Sequence, residues 1–225
     1  MTLTLRVLAR LVSYPDTAVR EHLDEMRDTL HGEQALRANR LAELDALIAS
    51  IQRQSAIDAE ADYVQLFDSG RRTSLHLFEH VHGDSRDRGP AMIDLAQTYE
   101  KAGLYLAEGE IPDHLPVALE YASTQPPTEA KAFLSETANI LNVIFNALEK
   151  RESRYASVLG ALLDLAGETA RPVTIADEPP IDESWAEPVA FDGCSTSGQA
   201  RPDQPQPVHI VRTHQTSAKT QGARV

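Results

Sequence analysis

The stretch TEAKAFLSETANILNVIFNALE, residues 128–149, predicts the fold class more clearly than any other part of the chain. Its apolar side chains return every three or four residues for about five turns, which is the spacing of one face of an α-helix. They are Phe133, Leu134, Ile140, Leu141, Ile144, Phe145 and Leu148. The stretch therefore predicts a long amphipathic helix.

The same apolar spacing recurs on both sides of this helix. Upstream it runs over residues 3–12 until Pro15, over 19–30, over 41–51, and over a shorter stretch, DYVQLF (62–67). Gly89-Pro90 predicts a further helix start, because proline suits the first helical turn. Downstream, residues 155–165 carry a last stripe. Without a strand pattern or a repeat, we predict an all-α fold: a single helical bundle domain over residues 1–170.

The composition changes near residue 171. Seven of the thirteen prolines fall in residues 171–225, where aliphatic side chains become rare, so we predict a disordered tail. Residues 171–192 carry six acids and one arginine, and residues 193–225 carry four basic residues and one acid. A short motif, residues 185–191, contains Trp185 and Phe191. It is either an anchor for the body or a partner, or a solvated stretch with stray aromatics.

Charge and cysteine content exclude several classes of function. The 225 residues include 34 acids against 21 Lys and Arg, a formal net charge of −13. Such a charge disfavours nucleic acids and anionic membrane surfaces and favours basic peptides or proteins as partners. The single cysteine, Cys194, forms no internal disulfide, and the N-terminus resembles an amphipathic helix rather than a signal peptide. We expect a cytoplasmic protein without a membrane span.

Residues 76–80, HLFEH, match the H-x-x-E-H pattern of a zinc hydrolase. On a helix, His76 and His80 would share a face with Glu79 beside them, which gives a zinc hydrolase that uses these three residues as one alternative function. The short motif has no assignable third ligand, and arginines stand on both sides of it. Hydrogen-bonded histidines at a packed helix end or in a polar groove explain the pattern better. We therefore predict neither a metal site nor a catalytic residue.

The stretch GEIPDHLP (109–116) predicts a turn followed by a helix. Pro112 favours an extended residue before it, and Asp113 stands where a helix N-cap belongs, capping mainly the Leu115 N–H. This reading leaves Glu110 and His114 beside the cap unexplained. No nucleophile stands beside them, and no phosphate-binding glycine loop occurs.

Three stretches together carry a resemblance to a known family: YVQLFDSGRRTSLHLFEHVHGDSRDRG (63–89), EIPDHLP (110–116) and DESWAEPVAF (182–191). The chain resembles the respiratory nitrate reductase assembly chaperones, the NarJ type of the TorD-like redox-enzyme maturation proteins. The resemblance covers residues 3–192. The second stretch is similar to the E-x-P-D-H element of the wider group, and the other two are similar to the nitrate reductase branch.

The resemblance implies an all-helical binding protein without catalytic activity or a cofactor of its own. It implies binding to the immature molybdenum-containing catalytic (alpha) subunit of nitrate reductase, including the N-terminal segment of that subunit. Such chaperones support insertion of the molybdenum cofactor and delay docking on the membrane subunit until maturation is complete. Molybdenum cofactor delivery proteins are further implied partners. A dimethyl sulfoxide or trimethylamine N-oxide reductase is the alternative client.

The predicted client-binding residues lie in the first two stretches. They are Tyr63, Phe67, Arg71, Arg72, His76, Phe78, Glu79, His80, His82, Glu110, Asp113 and His114. Tyr63 and Phe67 stand one helical turn apart, so they face a groove or pack in the core. The histidines titrate near neutrality, which predicts client binding that varies with pH.

Overall fold

The computed structural model describes residues 1–83 and 85–173, and these residues form ten α-helices. The helices are α1 (Thr2–Leu11), α2 (Thr17–Glu21), α3 (Leu23–Glu33), α4 (Ala38–Arg53), α5 (Ala56–Phe67), α6 (Leu77–Val81), α7 (Arg88–Lys101), α8 (Leu115–Thr124), α9 (Pro127–Lys150) and α10 (Ala156–Ala166). The described residues contain no strand, apart from one isolated antiparallel bridge between His76 and His114. The prediction of an all-α fold is confirmed. The predicted tail and its Trp185 motif lie outside the described residues.

The helix α10 lies at the centre of the hydrophobic core. Every residue of α10 except Asp164 is buried, and the helix packs against α9, α4 and α1. Asp164 leaves the core and accepts a hydrogen bond of 2.9 Å from the Arg40 Nε of α4. A helix that is apolar on nearly all sides needs neighbours on all sides. The long helix α9, predicted from residues 128–149, supplies one of them.

The helix α1 completes the centre by packing against α8, α3 and α10. Its first turn has no side-chain cap of its own. Glu33, the last residue of α3, accepts hydrogen bonds from the backbone N–H groups of Leu3 (3.2 Å) and Thr4 (2.6 Å). A carboxylate here satisfies donors that lack intrahelical partners and stabilises the helix dipole. The face of α1 that points away from the core carries Arg6 and Arg10.

The structure corrects two helix boundaries. The apolar stripe over residues 19–30 belongs to two helices, α2 and α3, which are separated at His22 (φ −104°, ψ 9°). Periodicity does not reveal this break because the apolar spacing continues across it. The short helix around residues 62–67 begins earlier, at Ala56, where the Ser55 hydroxyl caps the Asp58 N–H. A serine at this position is a favoured N-cap.

The helix α7 lies at the surface. Within α7, all of which is described, Tyr99 alone is buried, and Ile93 is 59% exposed. None of the helices in the described part of the chain has the length and apolar character needed to cross a membrane.

Candidate functional site

The loop before α8 pairs with the segment that enters α6. The backbone N–H of Leu77 donates to the Asp113 carbonyl (3.0 Å), and the backbone N–H of Leu115 donates to the Leu75 carbonyl (2.8 Å). These two bonds flank the bridge between His76 and His114. Two stretches that are almost 40 residues apart in sequence are thereby fixed side by side.

The Asp113 carboxylate is fully buried and joins three partners from this region. Its Oδ2 accepts a hydrogen bond of 3.0 Å from the Phe78 backbone N–H, and its Oδ1 lies 3.3 Å from the His76 Nδ1. The Arg88 guanidinium lies 3.9 Å from Oδ2. A buried carboxylate is stable only with such donors and cations around it.

The predicted capping role of Asp113 is wrong. Asp113 caps the N-terminus of α6, through Phe78, rather than its own helix α8. The N-cap of α8 is His114, and the Leu115 N–H is taken by the Leu75 carbonyl. Local sequence rules assign a cap to the nearest helix, and here the bridge between two distant segments supplies a different one.

The rings of His76 and His114 stack with their centroids 5.0 Å apart. The hydrogen bond that the Asp113 carboxylate accepts from His76 raises the pKa of His76 above its ordinary value, although burial opposes the rise. Burial lowers the pKa of His114, and the charge of protonated His76 lowers it further. Of the two rings, His76, beside the buried carboxylate, is therefore the one that binds a proton more readily.

The geometry that the zinc alternative required is not formed. His76 precedes α6 in an extended conformation (φ −84°, ψ 103°), so His76 and His80 do not share a helix face. His80 uses its Nε2 to contact the Ser74 carbonyl at 2.9 Å, and Glu79 lies 3.6 Å from Arg88. Within residues 1–83 and 85–173, no group of three or more His, Cys, Asp or Glu side chains is arranged to hold a metal ion. The contacts of His76 and His80 match the interpretation of hydrogen-bonded histidines at a helix end.

A cleft of about 390 Å³ opens beside the stacked histidines, and we call it the histidine cleft. It brings together three of the predicted site residues, His76, Glu110 and His114. Sequence reasoning missed two further charged residues in its lining, Arg10 of α1 and Glu120 of α8, which form an ion pair of 3.7 Å. Neither residue belongs to a sequence motif. Their exposed positions on amphipathic helices were the one sequence feature that could have suggested a place in the site.

The other predicted residues are divided between core and surface. Tyr63 and Phe67 are buried, with ring centroids 4.8 Å apart, and the Tyr63 hydroxyl donates to the Val12 carbonyl at 2.9 Å. These two side chains therefore adopt the core-packing alternative. Phe78 and His82 are half-buried and meet edge to face at 5.4 Å. Arg71 and Arg72 lie in the loop before α6, exposed and half-buried respectively.

Comparison with known proteins finds relatives of this chain. A family model described as nitrate reductase delta subunit matches residues 15–159. The nitrate reductase molybdenum cofactor assembly chaperone NarJ of Escherichia coli (strain K12) is 40% identical over 92% of this chain and 80% of its own length. The probable chaperone NarW of the same strain is 38% identical over 73% of this chain and 68% of its own length. A probable nitrate reductase molybdenum cofactor assembly chaperone NarJ of Bacillus subtilis (strain 168) is 30% identical over 72% of this chain and 86% of its own length.

All three relatives are named as assembly chaperones, so the class is a helical chaperone rather than an enzyme. The chain belongs to the nitrate reductase delta subunit family. The resemblance stated from the three sequence stretches is confirmed.

Proposed function

We propose that this protein is a nitrate reductase molybdenum cofactor assembly chaperone, which acts in the cytoplasm on the immature catalytic subunit. The observation that carries the proposal is the 40% identity to the Escherichia coli chaperone over 92% of the chain. The protein binds its client without catalysing a reaction, and the bound part of the client includes its N-terminal segment. It keeps the client competent for cofactor insertion, cooperates with cofactor delivery proteins, and delays docking on the membrane subunit.

The histidine cleft is the proposed centre of client binding. It is concave, and it combines apolar lining, such as Ile111 and Val117, with the carboxylates of Glu110 and Glu120. Such a lining suits a segment with apolar anchors and basic side chains, and the net charge of −13 would speed its approach. Client binding by the other predicted residues, including Arg71, Arg72 and His82, stays part of the proposal.

Calorimetric titration of the full chain with a peptide from the N-terminus of the catalytic subunit of the same organism tests the proposal. A scrambled peptide of equal charge and a peptide from a dimethyl sulfoxide reductase are the controls. We expect binding of the true peptide alone. Equal binding of all three peptides, or no binding of either the peptide or the intact subunit, would refute the proposed client.

Substitution within one loop localises the contact. Glu110→Gln keeps an acceptor for the Ala107 backbone N–H, which Glu110 holds at 2.8 Å, and removes the charge from the cleft. We expect affinity to fall by about tenfold, the effect of losing one charge pair. The matched control is Glu108→Gln, because Glu108 is exposed on the same loop and does not line the histidine cleft. An equal loss in both variants would show long-range attraction rather than a contact at the cleft.

A further inference from the structure

A second cleft, which we call the apolar basin, adjoins the histidine cleft. It has a volume of about 370 Å³ and shares Arg10, Glu110, Val117 and Glu120 with its neighbour. Its remaining lining is mostly apolar or aromatic: Tyr99, Leu104, Tyr105, Leu106 and Tyr121. The two clefts therefore form one groove with a polar half and an apolar half.

The floor of the apolar basin is formed by packed aromatic rings. Tyr99 is 2% exposed, and its hydroxyl donates to the Pro112 carbonyl at 2.9 Å. Its ring centroid lies 4.7 Å from that of Tyr121, which lies 5.3 Å from that of Phe133. A preformed aromatic floor loses little conformational entropy when a partner binds, which raises the affinity of any apolar side chain that enters.

Tyr105 lines the basin and exposes most of its side chain to solvent. Tyr105 is 80% exposed, the highest value among the exposed large hydrophobic residues of the described part of the chain. It stands between Leu104 and Leu106, which are half-buried in the basin wall. Exposed tyrosines beside an apolar depression are frequent anchors of protein interfaces, because they bury a large area at a low entropic cost.

The helix α1 contributes two arginines to the lining of the basin. Arg6 and Arg10 stand one turn apart on α1, and Arg10 pairs with Glu120 at 3.7 Å. Arg6 donates its Nε–H only to the Ser123 hydroxyl, at 3.3 Å, and forms no ion pair with any residue of the described ranges. A guanidinium at the edge of an apolar depression is well suited to receive a carboxylate through paired hydrogen bonds.

We propose that the apolar basin receives an aromatic or long aliphatic side chain of the client segment, and that a client carboxylate within one helical turn of that anchor pairs with Arg6. This inference rests on the proposed function and adds to it the register of the bound segment. The acidic chain as a whole attracts a basic client, whereas the basin requires an acidic residue beside the anchor. The client is thereby held in one direction along the groove.

Two substitutions in the full chain test the inference by titration with the client's N-terminal peptide. Tyr105→Ala is expected to weaken binding by about tenfold or more, the effect of removing an interface anchor. Because Tyr105 is exposed, circular dichroism and the free energy of unfolding should not change. Arg6→Glu is expected to weaken binding to a similar degree. Arg53→Glu is the matched control, since Arg53 is exposed on α4 and lines neither cleft.

The pairing with Arg6 is tested by exchanging charges between the two partners. Each acidic residue of the peptide is replaced by lysine in turn, and one of these peptides should bind Arg6→Glu more tightly than it binds the unaltered chain. The inference is overturned if Tyr105→Ala and Arg6→Glu both bind within twofold of the unaltered chain. It is also overturned if no charge exchange restores affinity, or if the client segment has no acid near an apolar anchor. Failure of the unaltered chain to bind the client at all would instead refute the proposed function.

Discussion

The helices α10 and α7 are of similar length, and different forces hold them. Every residue of α10 except Asp164 is buried, whereas Tyr99 is the single buried residue of the fully described α7. Two polar contacts of α7 run to the loop before α8: Arg88 reaches the Asp113 carboxylate, and the Tyr99 hydroxyl reaches the Pro112 carbonyl. A third joins Arg88 to Glu79 of α6. Apolar burial thus fixes α10, and a few polar contacts near the groove fix α7.

This difference predicts that α7 unfolds locally more readily than α10. Helices with few buried apolar contacts open locally, at a free energy below that of global unfolding. We therefore expect α7 to exchange its amide hydrogens faster than α10. Because α7 supplies Tyr99 to the floor of the apolar basin, its opening also changes the groove.

The largest effect is expected from a cavity in α10. Leu159→Ala removes a fully buried side chain and should lower the free energy of unfolding by about 2–5 kcal/mol. Urea denaturation measures this value. Ile93→Ala in the exposed face of α7 is the counterpart and should change stability by less than about 0.5 kcal/mol. Similar losses in the two variants would remove the distinction between the helices.

The second effect concerns the carboxylate that joins α6 and α7 to the loop. Asp113→Asn keeps the size of the side chain and removes the charge that faces His76 and Arg88. We expect a loss of about 1–3 kcal/mol, the range for weakening a buried hydrogen-bonded group. Hydrogen exchange should accelerate in α6 and α7 before it does in α10. The control is Asp94→Asn on the exposed side of α7, and uniform acceleration over all helices would contradict a local role.

A smaller effect is expected from the Tyr99 hydroxyl. Tyr99→Phe removes the hydrogen bond to the Pro112 carbonyl and retains the ring contact with Tyr121. The loss should be about 0.5–1.5 kcal/mol, with faster hydrogen exchange near the C-terminus of α7. Tyr105→Phe alters the same group on an exposed ring and should have no effect on stability. Unchanged exchange in Tyr99→Phe would show that ring packing alone holds the helix.

The smallest effect is expected from pH, because the two stacked histidines change the free energy of unfolding in opposite directions. The pKa of His76 is raised in the folded state, so its contribution to stability is full below the unfolded pKa of about 6.5 and is lost as pH rises through the raised value. The pKa of His114 is lowered, so its contribution is full above about pH 6.5 and is lost as pH falls towards the lowered value.

Single substitutions separate the two contributions. His114→Gln should leave a protein whose free energy of unfolding decreases as pH rises from 6 to 8. His76→Gln should leave one whose free energy of unfolding decreases as pH falls from 7 to 5. Urea titrations at each pH measure both slopes. If the free energy of unfolding changed with pH in the same direction in both variants, the opposite pKa shifts assigned to His76 and His114 would be contradicted.

Much of the helix set was predictable because apolar periodicity is a local property of the sequence. The stripe in α9 and the nearly continuous apolar run in α10 predicted both helices. The break between α2 and α3 was not predictable, because the stripe continues across His22. The site was predicted in part: Glu110, His76 and His114 meet in one cleft, while Arg6, Arg10 and Tyr105 belong to no motif.

The sequence by itself determined the all-α class, the acidic character and the family, since these depend on composition, spacing and matched motifs. Only the tertiary structure decided what Asp113 does, in which direction the pKa of each stacked histidine moves, and which residues line the groove. His76 and Asp113 stand 37 residues apart, and Arg6 and Ser123 stand 117 apart. Contacts over such separations follow from the packing of α1, α6, α7 and α8 and leave no periodic signal in the sequence.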